Sequence, residues 1–186
     1  MADTTDSTDT TAATDTSDLN ALPDRLALAS AAFAALRPAV EAGDPWPLSQ
    51  AYGSEPESDW GPKELLAHTA EMLGYWPIQI DQILAGGPEP VQFGRVSTDP
   101  GRIERIGRDR ELPTAELFER IAAEASRLGT RIRSLSPTDA ARRGLHPRLG
   151  EMTVGRIVER FLVGHLEEHV EQLRTILATR PSSPPG

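Results

Sequence analysis

Cysteine is absent from all 186 residues. That excludes disulfides, thiolate metal ligands and cysteine nucleophiles together. Lysine is nearly absent: Lys63 is the only one, and every other cationic side chain is arginine. With the many alanines and prolines, this reads as a GC-rich coding bias. No apolar run is long enough to span a membrane. The N-terminus has neither a basic region nor an apolar one, so it is not a secretory signal. A soluble, cytoplasmic protein is therefore expected, with no membrane partner. A formal net charge of −9 argues against generic nucleic-acid binding. Strand patterns longer than a few residues are missing, and so is any internal repeat.

What remains is a set of amphipathic helical patterns. Residues 1–20 hold Asp3, Asp6, Asp9, Asp15 and Asp18 among Thr, Ser and Ala, with no Lys or Arg. They offer too little apolar surface to offset ordering entropy, so a disordered tail is expected. A first helix is expected from about Pro23 to Leu36, with Leu26, Ala29, Phe33 and Leu36 on its buried face. Residues 42–59 read as a loop, with Trp46 and Tyr52 as anchors. Trp60-Gly-Pro-Lys-Glu-Leu65 starts a second helix: Gly61 caps it, Pro62 suits the first position, and Glu64 favours the positive end. It should end near Gly86-Gly87. Its stripe is Leu65, Met72, Trp76, Ile80 and Ile83, with His68 on the flank and Tyr75 and Gln79 below His68.

Residues 87–112 are a long connection, of a length that suits a crossover or a site cover. Asp99-Pro100 is placed to cap a short helix in it. A third helix should run from about Thr114 to Leu135, stopped by Ser136-Pro137. Arg142 to Met152 reads as a loop, and Thr153 as the cap of a last helix reaching Ala178. Four long amphipathic helices and no sheet predict an all-α fold: an up-down-down-up four-helix bundle with a long crossover between the second and third helices.

Within the last helix, His165 and His169 lie about 40° apart on the apolar face. Two neutral imidazoles one turn apart can share a transition metal, and equally can be core histidines with ordinary hydrogen bonds. A zinc-protease reading fails, because the residue after His165 is Leu166 and not the glutamate that motif uses as its base. Glu168 could border the site, and Gln172 shares the histidine face. His146, before the last helix at its far end, is a poor ligand candidate.

Trp60-x-Pro-Lys-Glu-x-x-x-His68, the long crossover, Gly150-Glu-Met-Thr153 and Gly164-His165-x-x-x-His169-x-x-Gln172-Leu173 together resemble the DinB-like superfamily. Its members are four-helix bundles related to the N-terminal domain of mycothiol-dependent maleylpyruvate isomerase. The likeness covers about residues 22–180. It implies a DinB-like bundle over 21–180, with flexible segments at 1–20 and 181–186. It also implies His68, His165 and His169 as ligands of one divalent metal, zinc or nickel. The activity it suggests is a metal-dependent S-transferase using a low-molecular-weight thiol such as mycothiol or bacillithiol, with a small-molecule substrate. A non-catalytic metal- or ligand-binding stress-response bundle is the alternative. Arg95, Arg102 and Arg148 are candidates to hold a carboxylate or sugar, and a homodimer is expected because family members commonly pair.

Overall fold

A computed structural model describes residues 19–50 and 60–179. The expected tail, apart from residues 19 and 20, lies outside the described residues, as do Tyr52 and the segment 181–186. Helix α1 (Leu22–Ala35) is followed by the short α2 (Arg37–Glu41), so Pro38 restarts a helix after Leu36. Next come α3 (Pro62–Ala85), strand β1 (Val91–Gln92) and α4 (Pro100–Asp109). Then follow α5 (Thr114–Arg133), α6 (Pro137–Ala140), β2 (Arg143–His146) and β3 (Gly150–Thr153). The last helix runs in three parts: α7 (Val154–Val158), a π-helical turn (Glu159–Val163) and α8 (Gly164–Thr179).

The long helices pack as sequence chemistry dictates. Phe33 of α1 is fully buried, its ring 5.7 Å from that of Phe118 on α5. Leu26 borders Gly129 and Arg37 reaches Glu119 at 3.9 Å, so α1 and α5 run antiparallel. Lys63 donates to the carbonyl of Leu112, just before α5, and Asp81 pairs with Arg131 at 2.6 Å. Partner numbers rise together there, so α3 and α5 run parallel. On the other side His68 meets His165 and His169, and Trp76 stacks on Phe161 at 4.3 Å, which makes α3 antiparallel to the last helix.

The molecule is mostly helical, but it is not free of sheet. A three-stranded sheet in the order β1-β2-β3 corrects the all-α expectation and the reading of 142–152 as loop. β1 pairs with β2 in parallel, and β2 with β3 antiparallel. The physical reason is contact with the crossover. A Cβ on Gly144 would lie 2.5 Å from the Phe93 ring and 2.7 Å from Ile83, so only glycine lets β2 press onto this segment. Strands of two and four residues carry too little alternation to be read from sequence. The guanidinium of Arg142 closes the same corner, donating to the carbonyls of Gly86 (2.7 Å) and Gly87 (2.6 Å) at the end of α3.

The start of α3 is held by a buried carboxylate. Glu64, with no exposed surface, accepts from the backbone N–H groups of Ser49 (2.8 Å) and Gly61 (3.1 Å) and from Arg110 (3.0 Å). One side chain thus ties the loop before α3, the helix start and the end of α4. Glu64→Ala takes the carboxylate away from a largely buried guanidinium and should cost about 3–5 kcal/mol. Urea unfolding checks this, and a loss below about 1 kcal/mol would refute it.

Candidate metal centre

His68 sits about two turns into α3, where the stripe begun by Leu65 and Leu66 carries it inward; it is 3% exposed. His165 and His169 come from the first two turns of α8. The three ring centroids are 5.3, 5.0 and 4.3 Å apart, and one ring nitrogen from each lies within 4.8 Å of the others. Among the described residues no other His, Cys, Asp or Glu joins this group. His146, the remaining histidine, is elsewhere: its Nδ1 accepts from the backbone N–H groups of Arg148 and Leu149, and its ring lies 5.6 Å from Phe161.

The turn before His165 departs from α geometry. The N–H of Gly164 donates to the carbonyl of Glu159, five residues back. A Cβ on Gly164 would sit 3.0 Å from that carbonyl, so glycine relieves the wide turn. The π turn sets the angle at which α8 leaves α7 and hence where both histidines point. A glycine inside a helical pattern, directly before His165, was its one sequence signal.

Electrostatics favour neutral rings. Burial holds His68 well below its ordinary value, and the neighbouring His169 and His165 add to the effect. Burial, with Arg102 behind it, pushes His165 down to about 4. Burial and His165 push His169 down to about 3. Gln172 Oε1 lies 3.1 Å from His169 Nδ1 and accepts its N–H. That fixes the tautomer and leaves Nε2 of His169 with a lone pair, buried and without a hydrogen-bond partner. Three neutral imidazoles, one with an orphaned inward nitrogen, are the donor set that zinc and similar ions take.

The surroundings divide into a closed side and an open one. The Trp60 ring stands edge-on to His68 at 5.4 Å, and the Arg102 guanidinium lies 5.5 Å from the Trp60 ring. Glu71, one turn beyond His68 and fully buried, binds Arg95, whose guanidinium covers Tyr75 at 3.7 Å. Gln79 accepts the N–H of Gly94 at 2.8 Å, so it anchors the crossover and does not face a ligand space. Arg148 holds the turn beside His146 through its N–H. Sequence reading missed Trp60 as a wall of the site and Glu71 as a buried carboxylate. On the open side a groove of about 520 Å³ reaches His165, bordered by Phe161, Gly164 and Glu168.

A mostly helical protein with three convergent, neutral histidines is thus equipped to hold a divalent metal. The chain belongs to the DinB superfamily, whose family model matches residues 8–173. No curated protein and no solved structure matches it. Among the described residues no helix is long and apolar enough to cross a membrane.

The depressed histidines give a pH prediction for the metal-free protein. Unfolded histidines titrate near 6.5, above their folded values, so the unfolded state binds more protons as pH falls through that region. Stability is therefore full above about pH 7 and declines below it, by about 2 kcal/mol at pH 5 for each of His165 and His169. Chelator-treated protein unfolded in urea at pH 7 and pH 5 should show the decline. His169→Asn should remove about one histidine's share; an unchanged slope in that variant would contradict it.

Proposed function

We propose that this protein is a metal-dependent enzyme, a low-molecular-weight-thiol S-transferase. His68, His165 and His169 would hold its divalent ion, zinc or nickel. The observation that carries this reading is the asymmetry of the cluster: His68 and His169 are buried, whereas His165 is partly exposed and borders the groove. A site that only stored an ion would gain from a fourth protein ligand, and none is present among the described residues.

A divalent ion held by His68, His165 and His169 would supply Lewis-acid chemistry, lowering the pKa of a water or thiol so that a nucleophile is available at neutral pH. The chain supplies the rest. Gln172 holds His169 in the tautomer that presents Nε2. Trp60 and the apolar residues around His68 keep water from the inner side. The groove at His165 admits a thiol of mycothiol or bacillithiol size and a small electrophile. The up-down-down-up bundle is part of the same reading, supported by the antiparallel α1–α5, parallel α3–α5 and antiparallel α3–α8 contacts. A homodimer belongs to it as well, and light scattering at high protein concentration tests it.

The decisive comparison is His169→Ala against His146→Ala. The first should lose most of its bound metal by elemental analysis, and chelation should then no longer lower its melting temperature. The second should keep wild-type metal content. Purified wild type should also transfer a thiol in an assay with several cellular thiols. If chelation leaves the wild-type melt unmoved and His169→Ala retains metal, the three histidines are structural and the enzyme reading is wrong.

A further inference from the structure

Arg160, Gly164 and Glu168 are spaced four apart along the helix that carries His165 and His169. The line they form crosses from the π turn, which holds Arg160, into α8 along the groove. The middle residue has no side chain, so the line is notched at its centre. Phe161 and His165 stand beside the notch, and all five residues line the same groove.

The other charged residues of the groove are already engaged. Arg25 binds Glu167 at 2.7 Å and lies 3.8 Å from Glu159, and Arg156 binds Glu159 at 2.6 Å. Arg160 lies 5.8 Å from the Phe161 ring. Among the described residues neither Arg160 nor Glu168 makes an ion pair, and at this spacing they are too far apart to be helix partners. One uncompensated cation and one uncompensated anion therefore flank a notch that opens on His165. A dianion in the notch would be repelled at Glu168, and a simple cation at Arg160.

We propose that this groove is a subsite for a zwitterionic ligand, with Arg160 receiving a carboxylate and Glu168 an ammonium group. The proposal rests on the thiol reading of the same site. It narrows the class of thiol to one with a free amine and a carboxylate on either side of the sulfur-bearing carbon chain, which an N-acylated thiol without a carboxylate, such as mycothiol, is not.

Three probes test it by calorimetric titration into zinc-loaded protein: the dipeptide cysteinylglycine, its N-acetyl derivative and its C-terminal amide. Zinc can itself take the amine, so the decisive quantities are the changes on mutation. Glu168→Gln should weaken cysteinylglycine by about threefold to fivefold, the size of an exposed charge contact, and leave the N-acetyl form unchanged. Arg160→Gln should weaken cysteinylglycine by a similar factor and leave the amide unchanged. Both variants should keep the wild-type melting temperature and zinc content. If both bind all three probes as wild type does, the subsite is refuted while the thiol reading stands. If zinc-retaining wild type binds none of the three, the thiol reading fails and the subsite falls with it.

Discussion

Three neutral imidazoles inside an apolar core are the constraint on which the rest of this structure depends. An imidazole is amphipathic, and burying it leaves a nitrogen that needs a partner. The chain spends Gln172 on one nitrogen of His169 and leaves the other turned towards its neighbours. Such an arrangement costs stability, and an ion at the proposed centre would offset that cost, coupling its binding to folding. The same neutrality that costs stability in the empty protein makes the rings competent ligands without first losing a proton.

Around that centre the protein uses buried carboxylates as fasteners. Glu64 ties the start of α3 to Arg110 at the end of α4. Glu71 binds Arg95 and lies 3.6 Å from Arg105, both inside the crossover. Asp109, 2% exposed, pairs with Arg108 (2.7 Å) and with Arg120 of α5 (2.9 Å). All three bind arginine, whose planar fork suits two-pronged pairing better than lysine would. The long connection is thus pinned at intervals against α3 and α5. The scarcity of lysine, whatever its origin in coding, leaves the fold well supplied with the side chain these joints need.

The helices were legible because their signals are local. Pro62 after Gly61, Asp99 before Pro100 and Thr153 before Val154 mark helix starts that the structure reproduces, the last two with side-chain caps on Arg102 and Arg156. The meeting of His68 with His165 and His169 was legible because each helix carries its histidine on or beside an apolar stripe. The small sheet was not, since its stability comes from Phe93 and Ile83 pressing on Gly144, residues distant in sequence. Nor was the inward course of Glu64 and Glu71. A carboxylate near a helix start normally faces water, and only the arginines brought by the crossover make its burial tolerable. Tyr75 and Gln79 share a line with His68, but Arg95 and Gly94 claim them, so alignment on a helix did not translate into lining the groove.

The π turn has a consequence for how this site can change over time. A helix that closes one turn with an extra residue has its two halves out of phase, and here the histidine pair lies in the second half. Were that turn to close in α geometry with all its residues kept, the extra residue would pass into the next turn and rotate α8 by about 100° against α7. His165 and His169 would turn away from His68 although no residue had been replaced. Point substitution tests the chemistry of the histidines, but the count of residues ahead of them sets their aim. In this chain the wide turn absorbs one residue ahead of His165 and so keeps the histidine pair aimed at His68.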